Sequence, residues 1–261
     1  MATGNPTRSP KSISDWDLRD IWAYNIKIVR QNTLEFFGVS DSELPPPRVH
    51  DEVLTVKCQG AAQHDDAYLL LSTRTNLHHC GSSRTVEFTT ELFRVLGYVG
   101  RAEGRFTRTR IDLPLRVREH EMVVNVDVCI VDDNNQIVLL AQDYKTDDEE
   151  EIGDVPEVRL IAGAIAAFGI NNNLSIRTLS SRQDAPVEKV IAGITMRYEM
   201  PVFYKIPVTA GLVEAVSLGT FPQQETIVHT YTPRFGYERD FCDLNCRRVV
   251  LSCCEAFKKF L

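Results

Sequence analysis

The sequence has no long apolar run. The longest nearly unbroken stretch, Leu160 to Ile170, is far shorter than the roughly 20 residues a membrane-spanning helix needs. No apolar segment follows the polar start Met1 to Ser14, which carries Pro6 and Pro10, so a secretory leader is not expected and an intracellular protein, cytoplasmic or nuclear, is. Basic charge is not in excess. The 29 Lys and Arg are outnumbered by 36 Asp and Glu, giving a net charge of −7, which excludes coating nucleic acid by bulk charge but not a local basic cleft. Gly-rich phosphate loops, nucleophile elbows and HExxH patterns are missing. Paired CxxC knuckles are missing too. Seven cysteines are present, an odd number, and without a leader free thiols are expected. The spacing Cys242-x3-Cys246 with Cys253-Cys254, even with His78-His79-Cys80, does not match a zinc site.

What is there is an ordinary globular composition, 43% hydrophobic and 25% charged, long enough to bury a core of good size. Residues 1–14 read as a flexible tail. Asp15 to Phe37 spaces Trp16, Ile21, Trp22, Ile26, Val29 and Phe36 near a helical period, with Gly38 as a stop. Val53 to Lys57 and Tyr68 to Ser72 read as short strands. Residues 15–83 thus form an N-terminal helix and variable extension, and 84–261 the main domain. Ser83 to Leu96 predicts a helix ended by Gly97.

Phe106 to Val117 reads as an edge strand because Pro114 interrupts it. Val123 to Val131, the turn Asp132-Asp-Asn-Asn135 and Gln136 to Tyr144 predict a hairpin. Pro156 opens a helix to Phe168. Lys189 to Arg197 and Val202 to Ile206 read as strands, Thr209 to Leu218 as a helix, Thr226 to Tyr231 as a strand and Leu244 to Leu261 as a terminal helix. This order predicts a mixed α/β fold with a central sheet flanked by helices.

The hairpin carries the chemistry. Asp127 stands mid-strand between Val126 and Val128, where a carboxylate either faces solvent or serves a site. Asp143 and Lys145 end the second strand two residues apart, on one face. If odd positions pair with odd, Asp127 joins them, with the two aspartates roughly 5–8 Å apart. Carboxylates that close repel unless a cation lies between them. Mg²⁺ suits such a pair, and a nearby lysine can activate water or offset phosphoryl charge. Seven arginines fall between residues 94 and 118; Arg108 and Arg110 share a strand face and can track phosphates. An acidic run, Asp147 to Glu151, follows the hairpin and reads as a solvated loop.

Asp127, Asp143-Tyr144-Lys145 and the helix before them resemble the PD-(D/E)XK nuclease superfamily over about Arg84 to Met196. The resemblance implies a restriction-endonuclease-like core: helix, three-stranded meander, helix, strand. It implies Mg²⁺, or Mn²⁺ in its place, on Asp127 and Asp143, with Lys145 assisting catalysis. Glu87 takes the acidic helix position in preference to Glu91, and Arg159 replaces a substrate-contacting Gln. Nucleic acid is the implied partner and phosphodiester hydrolysis the implied reaction. The whole chain also resembles a group of uncharacterised proteins of mushroom-forming fungi, in Arg108-Thr-Arg-Ile-Asp-Leu-Pro, Asp127-Val-Cys-Ile-Val, Ala192-Gly-Ile-Thr-Met and Phe203-Tyr-Lys-Ile-Pro-Val-Thr. The other reading is a scaffold of the same fold that binds protein or nucleic acid without catalysis.

Overall fold

A computed structural model describes residue 13 and residues 16–75, 83–118, 120–144, 156–172, 188–234 and 240–261. Most of the tail 1–14, His78-His79-Cys80, Lys145 and the acidic run 147–151 lie outside the described residues.

The stretch expected as one N-terminal helix is three elements: α1 (Leu18–Ala23), β1 (Ile26–Arg30) and α2 (Thr33–Phe37). The reason is local. A capping box from Asp17 and Asp20 starts α1, and Asn25 in the left-handed region (φ 54°) stops it. The β-branched Ile26, Ile28 and Val29 then favour a strand. A second box, Asn32 with Glu35, starts α2, which ends on left-handed Gly38. The two short strands expected next are helices, α3 (Asp51–Thr55) and α4 (Asp65–Thr75). In α4, Ala67, Leu70 and Leu71 are buried, an i, i+3, i+4 stripe that helix geometry satisfies and a strand does not.

The remaining elements are α5 (Ser83–Val95), β2 (Arg105–Val117), β3 (His120–Asp132), β4 (Ile137–Asp143), α6 (Pro156–Asn171), β5 (Glu188–Arg197), β6 (Met200–Thr209), α7 (Ala210–Leu218), β7 (Thr226–Tyr231) and α8 (Leu244–Phe257). The strands form one seven-stranded mixed sheet in the order β1-β7-β6-β5-β4-β3-β2. The segment read as an extension is therefore woven into the same sheet: β1 pairs in parallel with β7 and forms one edge. β2, with Pro114, forms the other edge, where a residue without an N–H is tolerated.

Two hydrophobic clusters sandwich the sheet. Residues of α1, α6 and α7 build one; residues of α2, α4, α5 and α8 build the other. In α6 every residue from Val158 to Phe168 is buried, so this helix runs through the core rather than over it. Its approach requires small residues. A Cβ on Gly193 of β5 would stand 2.9 Å from Leu160 Cδ2 and 3.1 Å from Ile206 Cδ1. Each fully buried Leu or Ile of this layer contributes about 1.5–3 kcal/mol.

β2, β3 and β4 form an antiparallel meander. β4 and β5 are parallel, joined through α6 as such a crossover requires. No described helix is long and apolar enough to cross a membrane.

Candidate functional site

The candidate site sits where β3 leaves β4. Its geometry comes from a defect in the sheet. The β2–β3 register passes from Thr109↔Val128 to Ile111↔Val126 with no paired step between them. Arg110, at that gap, has a left-handed backbone (φ 52°). On the other strand, Val126 packs in the α6 cluster and Val128 in the α5 cluster, although two residues apart on a regular strand share a face. β3 thus turns over at Asp127, the residue at the gap. Such an irregularity re-aims one side chain.

The β3–β4 register corrects the expected pairing. Val128 faces Ala141, so odd positions pair with even ones and Asp127 extends the ladder opposite Gln142. The two aspartates nonetheless line one crevice. Asp127 Oδ2 accepts the backbone N–H of Asp143 at 2.9 Å and an N–H of the Gln142 carboxamide. Asp143 itself is 4% exposed. Its Oδ1 is buried with no hydrogen-bond partner among the described residues. Burial first, and then the charge of Asp127, push its carboxyl up to about 7 from 3.8; a Thr85 hydroxyl, the Tyr144 N–H and Arg159 pull the other way. A carboxylate that is both buried and opposed by a like charge titrates high unless a cation joins it.

Helix α5 closes the site with threonines. Thr85 and Thr89, one turn apart, are buried and line the same crevice as Asp127, Gln142, Asp143 and Met196. Glu87, expected there, is exposed: two residues along a helix is more than half a turn, so it points away from the pair. Glu91 is bound by Arg94 at 2.6 Å. Arg159, expected at substrate, is 8% exposed and donates to the carbonyl of Asp143 at 3.1 Å, which fixes the end of β4 from behind. Arg108 is exposed, bonding Asn135 in the β3–β4 turn at 3.0 Å, and Arg110 is exposed on the edge strand. The structure therefore brings together Asp127, Asp143 and, in support, Arg159. It leaves Glu87 and Arg108 apart, and Lys145 is outside the described residues.

Sequence reasoning missed Thr85, Thr89 and Gln142. The signals were present: two threonines four apart on the face of Val86, Phe88 and Leu92, and a lone amide in the apolar strand Ile137–Asp143. Two carboxylates, one with an orphaned oxygen, fit a hard divalent cation that completes its shell with water or phosphate oxygens. Among the described residues no third His, Cys, Asp or Glu joins them, and the crevice is narrow.

Neither a known protein family nor a curated protein matches this chain.

Proposed function

We propose that the chain is a divalent-cation-dependent phosphodiesterase acting on nucleic acid. The observation that carries this reading is the convergence of Asp127 and Asp143 from neighbouring strands, the second buried with an unpartnered oxygen. The element order supports it: α5, the β2–β3–β4 meander, α6 and the parallel strand β5 follow the order of a restriction-endonuclease-like core. Asp127 and Asp143 would hold Mg²⁺ or Mn²⁺, which when bound polarises a phosphoryl oxygen and offsets its charge. The chain's own residues set up that arrangement. Gln142 and the Asp143 N–H aim Asp127 by holding one oxygen. Arg159 anchors the strand end that carries Asp143. Lys145, two residues on, would orient the attacking water as an ammonium or, as the neutral amine, accept its proton.

The test is a cleavage screen on DNA and RNA with Mg²⁺ and with Mn²⁺, comparing the natural chain with Asp127→Ala, Asp143→Asn and Lys145→Ala. Wild-type cleavage is expected, with each variant reduced at least about 100-fold. Undiminished cleavage by any of the three sinks the assignment.

A second reading has its own support. One Asp127 oxygen is already occupied by two donors, and among the described residues no third metal-ligating side chain joins the pair. On that reading the fold is a binding scaffold, and Mg²⁺ neither stabilises the chain nor promotes cleavage.

A further inference from the structure

The rim beside the carboxylate pair is aromatic. Asp143 lies in register with Met196 of β5, and the next residue, Tyr144, donates its N–H to the Met196 carbonyl at 2.8 Å. Tyr144 is 38% exposed. Arg197 lies with its guanidinium 5.7 Å from the centre of the Tyr144 ring and is itself exposed. Then comes the two-residue turn Tyr198-Glu199, closed by the pair Arg197↔Met200. Its two members are treated oppositely. Glu199 is 5% exposed, its carboxylate 3.9 Å from Arg74. Tyr198 is 39% exposed with its backbone in the left-handed region (φ 56°). Glycine is the residue that adopts this conformation without strain. A tyrosine there is a local cost that holds an aromatic side chain at the surface.

The charge around the pair points the same way. Arg159 is turned inward, Arg94 is engaged by Glu91 and Asp66 and Arg74 by Asp240; the exposed Arg108 and Arg110 lie on edge strand β2, on the other side of the pair from the β4–β5 rim. Duplex binding draws mainly on Lys and Arg contacts to phosphate. Single strands are held in large part by stacking bases on aromatic rings, with arginine adding cation–π contacts. The rim offers two tyrosines and one arginine, which is the second chemistry.

We propose that Tyr144, Arg197 and Tyr198 form a base-stacking rim and that the nucleic acid served by the neighbouring carboxylates is single-stranded. The proposal rests on the phosphodiesterase reading for the nature of the ligand, and adds its strandedness.

The test measures binding of labelled oligonucleotides to the full chain by fluorescence anisotropy, in EDTA so that no cation-dependent cleavage intervenes. Four probes of one length are compared: single-stranded DNA, single-stranded RNA of the same sequence, the DNA duplex, and an abasic strand with the same phosphates and no bases. At least one of the two single strands is expected to bind about tenfold or more tighter than the duplex and the abasic strand. Which sugar is preferred separates DNA from RNA. Tyr144→Ala and Tyr198→Ala each lose about tenfold on that strand and leave the abasic strand unchanged; Tyr144→Phe and Tyr198→Phe restore binding. Equal affinity for the abasic strand, a duplex bound as tightly, tyrosine-to-alanine variants without effect, or no binding to any probe overturns the proposal. The two readings fail separately. Asp143-dependent cleavage of duplex and single strand at equal rates keeps the phosphodiesterase and removes the rim. Base-dependent binding without cation-dependent cleavage keeps the rim and removes the phosphodiesterase.

Discussion

Two regions of this protein bury a charged side chain, and they solve the problem differently. Arg247 on α8 has no exposed surface. Its guanidinium donates to the carbonyls of Phe241 at 2.8 Å, Val53 at 2.9 Å and Val56 at 2.6 Å, and lies 5.1 Å from the centre of the Phe241 ring. Each of the two leaves one buried atom unpartnered, Arg247 Nη2 and Asp143 Oδ1, but Asp143 on β4 has a second carboxylate for a neighbour. Burial disfavours both charges: it pulls the Arg247 guanidinium down and pushes the Asp143 carboxyl up. The surroundings then diverge. Around Arg247 the protein supplies oxygen dipoles of the right sign, and the residue ties α8 to the end of α3. Around Asp143 it supplies a like charge, offset only in part by Thr85, the Tyr144 N–H and Arg159. A buried charge met by complementary dipoles is a structural clip; one met by its own sign is held ready for something else to bind.

Removing each charge should separate the two cases, and the larger effect belongs to the clip. Arg247→Leu leaves three buried carbonyls without a donor, each worth on the order of 1 kcal/mol or more. A loss of about 3 kcal/mol is expected in urea unfolding, equal at pH 5 and pH 8 because arginine stays charged throughout. Wild-type stability in this variant would show that the carbonyls find other donors and that the clip is not one.

Asp143→Asn should act in the opposite direction and only at higher pH. Unfolded, the carboxyl titrates near 3.8; folded, it titrates at about 7. Between those values the folded chain holds a proton that the unfolded chain has released. Stability from this group is therefore greatest below 3.8, declines as pH rises toward 7, and stays low above it. The asparagine variant escapes that decline, so its melting temperature at pH 8 should exceed wild type by an amount on the order of 5 °C, with little difference at pH 4. Mg²⁺ at pH 8 should stabilise wild type and leave the variant unmoved. A variant less stable than wild type at pH 8 would remove the idea of an opposed pair.

Much of the frame could be read from the sequence because it depends on local pattern. The meander and both hairpin strands follow alternation and turn residues; α6 follows Pro156 and an apolar stretch; the edge position of β2 follows Pro114. The N-terminal third could not be read so directly, because the periodicity of Trp16 to Phe36 is a coincidence of two short helices and a strand, broken at Asn25 by a backbone angle that composition does not reveal. At the site, residue types located Asp127 and Asp143, but register is a tertiary property. The odd-with-even pairing and the turnover of β3 at Asp127 depend on the gap opposite Arg110, which alternation cannot supply. The same holds for Glu87 and Thr85. Both lie in the first turns of α5, and only the packing of that helix on β3 and β4 decides which of them faces the carboxylates.

Thr85 therefore offers the finest adjustment of the contrast. Its hydroxyl draws the Asp143 carboxyl downward, against burial and Asp127. Thr85→Val keeps the shape of the side chain and removes only that donor. With it gone, Asp143 has less to favour its charge, so the pH-dependent loss of stability should move upward by about one pH unit, the equivalent of a hydrogen bond of roughly 1.5 kcal/mol to a charged group. Melting temperatures across pH 5 to 9 would follow the shift, with Asp143→Asn as the background in which Thr85→Val should move nothing. A shift that persists in that background would assign the pH dependence to another group and return Asp143 to the same class as Arg247, a buried charge held by complementary dipoles.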